Sequence, residues 1–374
     1  MDKLSLFAVG DIGIQRDEPE LALAHVAPYL RGADIAFCQL ERVITERGVA
    51  PDIAREQSRT PPNMVSALTS AGFHVVSFAS NHTMDWGVEG LLDTIDVLKR
   101  NGLDVIGVGK DIEEARKPLI LERKGVKIAF LAYSSVGRPG YEAMADKPGL
   151  NPMRAWSIYQ PLEYQVGTPN IKILTFPDPD DIEVMEEDIR KVRKVADVVV
   201  VSMHWGIHFQ KATIAMYQRR VGHAAINAGA DLILGHHAHV LKGMEIYKGK
   251  LIIYSMGTFA LNSTYEQQLH RREHRPGWKD FMKFYGWELD PDYPGYAFPR
   301  ETCKTMIIKA LIENNNFTRV SFLPAYINKN AEPEVLTRKD ERFGEVVNYM
   351  KEITESEGLN ARYEVDGDEV VINT

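Results

Sequence analysis

The chain has 374 residues, 44% hydrophobic and 26% charged, with a formal net charge of −8. That length allows one large core or two modest ones, and the acidic balance argues against a generic binder of nucleic acid or anionic membranes. Cys38 and Cys303 make no disulfide framework, no apolar run reaches about 18 residues, and the opening residues lack signal-peptide features, so the sequence reads as cytoplasmic and without a membrane anchor.

Through roughly the first 260 residues short apolar runs alternate with helical patterns, the signature of a layered α/β domain. The predicted strands are 4–9, 34–40, 75–79, 104–108, 128–132, 198–203, 232–234 and 251–254. Between them, the 88–100 pattern puts Leu91, Leu92, Ile95 and Leu98 on one helical face, with Asp85 as its N-cap candidate. Patterns at 181–195 and 213–228 behave similarly. Beyond Asn262 the texture changes. Residues 263–302 combine His270, Arg271, Arg272, His274 and Arg275 with Trp278, Phe281, Phe284, Tyr285 and Trp287, which reads as a long, partly ordered insertion lining or covering a site. The remainder, 303–374, offers a strand pair (305–312 and 319–323), a helix at 338–356 and a short hairpin, completing the domain begun by 1–262.

The polar residues fall at the strand ends: Gly10-Asp11, Gln39-Leu40-Glu41, Ser80-Asn81-His82, His204-Trp205-Gly206 and Gly235-His236-His237-Ala238-His239. In a mostly parallel sheet the carboxyl ends of the strands share one edge, where ligands bind, so these five motifs converge. An Asp, a Glu, an Asn and several His make a mixed oxygen and imidazole donor set, suited to one or two divalent ions such as Mn, Zn or Fe. On an extended strand His237 and His239 share a face while His236 points away. Glu41 is placed to bridge two cations, which would hold and activate a water.

Together these residues, with Thr83-Met84-Asp85-Trp86-Gly87 and Tyr254-Ser255-Met256-Gly257, resemble the CapA family of capsule and poly-γ-glutamate biosynthesis, a branch of the calcineurin-like metallophosphoesterases. The resemblance implies a four-layer αββα sandwich, here with a C-terminal extension. It also implies roles: Asp11 and His239 for a first metal, Asn81, His204 and His237 for a second, and Glu41 between them. His82 would protonate a leaving group or steady an anion, and the three-residue spacing puts Asp85 in place to orient its ring. Three positions depart from the pattern. Gly13 stands where the superfamily has a histidine ligand, His208 where many relatives have Glu, and Thr258 where they have another residue of the closing motif.

The expectation is a soluble metal-dependent hydrolase of a phosphoester or γ-glutamyl-type amide, acting on an anionic small molecule or peptide. His208, Arg271, Arg272 and Arg275 are the candidate substrate contacts, since guanidinium pairs with phosphate and carboxylate in bidentate fashion. Alternatives are a metal-dependent peptide epimerase, with His208 and His236 as candidate bases, or a non-catalytic part in polymer synthesis. An oligomer is compatible with all three.

Overall fold

Unbroken runs of Val, Ile, Leu and Phe have two faces to bury, so the strands they form need cover on both sides. The computed structural model, which describes residues 3–52, 59–163, 165, 167 and 170–373, meets that need with two sheets stacked face to face and helices outside each. Leu4, Leu6, Phe37 and Val75 of the first sheet meet Phe130, Val200, Leu232 and Leu234 of the second in a middle apolar layer. On the outer face of the first sheet, Phe7, Val9, Cys38 and Val76 pack with Leu68 of helix Val65–Ala71 and with Leu91, Ile95 and Leu98 of helix Gly87–Arg100. On the outer face of the second, Leu131, Val199 and Val201 pack with Met185 and Ile189 of helix Pro179–Arg193 and with Val221 and Ala225 of helix Met216–Ala228. The architecture is therefore the expected αββα sandwich.

Leu4–Gly13, Ile35–Leu40, Val75–Ser77 and Asp104–Ile106 run parallel in the first sheet. Val126–Ser134, Val198–His204, Leu232–His236 and Lys250–Ile253 run parallel in the second. Their carboxyl ends bring the five polar motifs together. The C-terminal part is woven in: Lys304–Glu313 pairs antiparallel with Leu4–Gly13, and helix Glu341–Ser356 adds Phe343, Val346, Met350 and Ile353 to the middle layer.

Several local expectations change. The first strand does not stop at Val9 but continues to Gly13, with a register shift at Asp11/Ile12 where it gains Thr258–Leu261 as a parallel neighbour. That approach needs glycine, because a Cβ on Gly10 would lie 1.9 Å from the Gly257 carbonyl oxygen. Asp85 is not a helix cap: the Gly87–Arg100 helix follows Trp86 without a side-chain cap, and Asp85 bonds His82. The 263–302 segment contains two helices, Tyr265–His274 and Trp278–Phe284. A hairpin absent from the sequence reading, Ala155–Pro161 with Ile171–Pro177, stands as a separate two-stranded sheet. Among the described residues, no helix is long and apolar enough to cross a membrane.

Candidate metal centre

Each candidate donor lies in the last stretch of a strand's course or in the loop that follows it. Asp11 lies within the first strand, Glu41 follows Ile35–Leu40 directly, Asn81 sits in the turn after Val75–Ser77, and His204 ends its own strand. His237 and His239 reach the site by a different route from simple strand alternation. The strand stops at His236, and both residues adopt left-handed backbone, with φ of 85° and 59°. For residues bearing a Cβ that conformation costs on the order of 1–3 kcal/mol each, and here it turns two imidazoles into one cluster. All six donors are at most 9% exposed.

Two groups of donors share one carboxylate. Glu41, His204 and His237 form one, and Asp11, Glu41 and His239 the other, with the donor atoms of each group within 4.8 Å of one another. Asn81 completes the first: its Oδ1 lies 2.8 Å from His204 Nε2 and 3.1 Å from His237 Nδ1, while those two nitrogens are 3.2 Å apart. In the second, His239 Nε2 is 3.4 Å from Glu41 Oε2, and its Nδ1 is 3.1 Å from the Thr258 hydroxyl, a contact that fixes the ring. A Cβ at position 13 would sit 2.4 Å from Leu261 Cδ1 and 3.3 Å from Arg42 Cβ, so a further imidazole there would require the Leu261 side chain to move aside.

The electrostatics suit a cation. Asp11 Oδ1 and both Glu41 carboxylate oxygens are buried without a hydrogen-bond partner. Burial, and secondarily the Glu41 charge, push the Asp11 carboxyl well above its usual range. Burial holds the imidazoles of His204 and His237 well below theirs and lowers His239 to about 4, so all three are neutral at pH 7, the form that donates to a metal. Buried carboxylates facing neutral imidazole nitrogens, with acceptor atoms left over, form a set that could hold a divalent ion.

His82 and Asp85 stand beside the cluster. His82 Nδ1 is 2.6 Å from Asp85 Oδ2, and Asp85, fully buried, also accepts a longer bond from the Tyr141 hydroxyl at 3.4 Å and has Arg138 at 3.8 Å. A cavity of about 850 Å³ opens over these groups, with Glu41, Asn81, His82, His237 and His239 in its wall. A second cavity of about 620 Å³, around Lys309 and Arg319, contains none of the donors.

The structure sorts the other candidates. Arg271 and Arg275 line the main cavity, as does His208, whereas Arg272 is exposed and lies outside its lining. The His208 ring centroid is 3.8 Å from that of His237, and its Nε2 is buried without a partner. His236 lies between the sheets, its ring 5.9 Å from Phe37 and its Nδ1 still 3.8 Å from Asp11 Oδ1; it backs the cluster instead of leaving it. That burial rules it out as a base facing the cavity. Sequence reasoning missed Arg42, Arg138 and Phe209, all in the cavity wall. Phe209, at φ 53°, stacks on His239 at 5.3 Å and meets Tyr285, Trp287 and Phe298, so the 263–302 segment is seated over the donors through this ring. The left-handed backbone at Phe209 leaves no local sequence signal.

Residues 5–263 match the family model described as bacterial capsule synthesis protein PGA_cap. The chain belongs to this family. Its relatives include the PGA biosynthesis protein CapA of Bacillus subtilis, 30% identical over 271 residues that cover 70% of this chain and 64% of the relative. A probable polyglutamine synthesis accessory protein of Mycobacterium tuberculosis is 32% identical over 228 residues, covering 60% of this chain and 54% of the relative. The chain thus aligns with less than two thirds of the length of either PGA_cap relative. Among solved structures, the calcineurin-like phosphoesterase YfkN of Bacillus subtilis superposes with a TM-score of 0.42 at 13% identity, covering 95% of this chain and 97% of that one. A hypothetical protein of Thermus thermophilus reaches 0.47 at 15%, covering 86% and 98%.

Proposed function

We propose that this PGA_cap family member is a metal-dependent hydrolase whose substrate is a small anionic phosphoester or γ-glutamyl-type amide. The observation that carries the reading is the pair of donor groups sharing Glu41 beneath an arginine-bearing cavity, with the His82–Asp85 pair at its wall. Asn81, His204, His237 and Glu41 would hold one ion, and Asp11, His239 and Glu41 a second. Bound there, such an ion supplies Lewis-acid polarisation of the scissile centre and a water of lowered pKa.

The chain's own residues do the rest. Arg271 and Arg275, with Arg42 and Arg138, give the cavity a positive wall that receives and orients an anionic group. His82 carries a proton on Nε2, the ring nitrogen away from its Asp85 bond, and delivers it to the departing oxygen or nitrogen, while Asp85 holds the ring and its charge. The seated 263–302 segment limits water access to the donors. In this reading the capsule and poly-γ-glutamate association of the relatives corresponds to processing of a glutamyl or phosphorylated component.

The test is metal-dependent turnover. Protein loaded with Mn, Zn or Fe is offered a phosphodiester, a phosphomonoester and a γ-glutamyl dipeptide, with chelated protein and His82→Ala as controls. Turnover of at least one substrate that chelator and His82→Ala both abolish is expected. Stoichiometric metal with none of the three cleaved would overturn the proposal.

A further inference from the structure

We propose that Lys242 is a positioning residue: its buried ammonium ties the 206–215 loop over the metal centre and, through Phe209, holds the 263–302 segment against the cavity. The inference rests on the hydrolase reading only for what the seated segment does there. Lys242 stands three positions after His239, is 2% exposed, and does not line the cavity, so any effect on the site passes through the loop.

Taking an ammonium out of water is costly unless strong partners replace the water. The partners of Lys242 are main-chain oxygens: its Nζ donates to the carbonyls of Gln210 and Thr213, the second at 2.9 Å. Among the described residues it forms no ion pair, and those two carbonyls accept from nothing else. Burial lowers its pKa to about 8, which leaves it charged at pH 7.

The loop has reason to need such a partner. Gly206, Phe209 and Ala212 are left-handed, with φ of 90°, 53° and 61°, and the last two carry a Cβ that disfavours the conformation. Its internal bonds are short-range: the Gln210 amide donates to the His208 carbonyl and the Thr213 amide to that of Lys211, both at 2.7 Å. They shape tight turns without binding the loop to the domain. The Gly206 amide is held by the Tyr217 hydroxyl at 2.7 Å and the Phe209 amide by the Ala238 carbonyl at 2.9 Å. From Gln210 to Thr213 the main chain is tied to the domain by Lys242.

What the loop carries lies directly on the candidate donors. The His208 ring is 3.8 Å from that of His237, and the Phe209 ring is 5.3 Å from His239 and 5.5 Å from both Tyr285 and Trp287. Arg271 and Arg275 belong to the segment those rings seat. Releasing residues 210–213 therefore loosens both the cover over the donors and the positive wall of the cavity.

The test compares the metal-loaded parent with Lys242→Met, which keeps the apolar stem, and Lys242→Arg, which keeps the charge and the donors. Lys211 is exposed within the loop, so tryptic cleavage after it reports opening; Lys248, exposed in the turn between Met244–Tyr247 and Lys250–Ile253, controls for general unfolding. In Lys242→Met, cleavage after Lys211 is expected to be at least about tenfold faster with cleavage after Lys248 unchanged. Metal stoichiometry is expected to stay parental while release of metal to EDTA becomes at least about fivefold faster. Lys242→Arg is expected to restore both rates. For any anionic substrate found in the turnover screen, KM is expected to rise about fivefold in Lys242→Met with kcat within about threefold. A screen that finds none sinks the hydrolase reading and leaves cleavage and metal release to decide this one. If Lys242→Met does not fold, Lys242→Gln, which keeps a donor on a shorter stem, takes its place with the same expectations. Parental cleavage after Lys211, equal acceleration at Lys211 and Lys248, metal release indifferent to an opened loop, or no restoration by Lys242→Arg would each overturn the proposal.

Discussion

Replacing Asp85 with Asn separates the proton-delivery role of His82 from metal binding. Asp85 is fully buried and contacts His82 Nδ1 at 2.6 Å, and it belongs to neither donor group. Asparagine keeps the volume and one acceptor but removes the charge that supports a protonated ring. A buried charge-assisted hydrogen bond of this kind is worth about 1.5–3 kcal/mol. If that interaction is needed when His82 gives up its proton, kcat falls about 10- to 100-fold with KM little changed. The measurement is steady-state kinetics on whichever substrate the turnover screen identifies, with bound metal determined on the same preparation. Tyr141→Phe is the control for the other Asp85 contact, which at 3.4 Å is long, so its kcat is expected to stay within about threefold. Asp85→Asn with parental kcat would refute the positioning role, and loss of metal from that variant would show that Asp85 instead supports the donor cluster.

Asn81→Ala and His237→Ala each remove a donor from the group that includes Glu41 and His204, and metal per chain by elemental analysis is expected to fall in both; unchanged content would refute the donor assignment. Metal-free protein is expected to lose stability on acidification. Its buried imidazoles have folded pKa values below the unfolded value of about 6.5, with His239 at about 4 and His208 at about 3, so the unfolded state takes up protons first. This penalty is absent above about pH 6.5 and grows as pH falls toward 4. The raised Asp11 carboxyl opposes it, but one carboxyl stands against five depressed imidazoles, His204, His208, His236, His237 and His239. A urea midpoint that does not change between pH 7 and 5 would contradict their burial. Arg271→Ala/Arg275→Ala is expected to raise KM about tenfold for an anionic substrate with kcat within about threefold, and an unchanged KM would remove both from substrate binding.

Much of the sandwich was legible because strand and helix periodicity record which faces are buried. The run 198–203 reads as a strand covered on both sides, and Val200 and Val201 indeed face different apolar layers. The convergence of Asp11, Glu41, Asn81, His204, His237 and His239 was legible for a related reason: each stands at or just beyond an apolar strand, and a parallel sheet brings strand ends to one edge. The hairpin escaped notice because Trp156, Ile158, Tyr159 and Ile173 look in sequence like any half-buried strand residues, and nothing local says that no layer covers them.

By itself, then, the sequence determined the layered α/β class and the gathering of Asp, Glu, Asn and His side chains at one sheet edge, which depend on local periodicity and on the common end of parallel strands, and it offered the pairing of His82 with Asp85 by spacing. Only the tertiary structure decided that His237 and His239 converge through left-handed backbone, that His236 backs Asp11 from between the sheets, and that Leu261 and Arg42 take the space beside Gly13. It also decided which arginines face the cavity: Arg42, Arg138, Arg271 and Arg275 do, and Arg272 does not. These outcomes rest on contacts between segments far apart in the chain, and the periodicity of one segment carries no record of what packs against it.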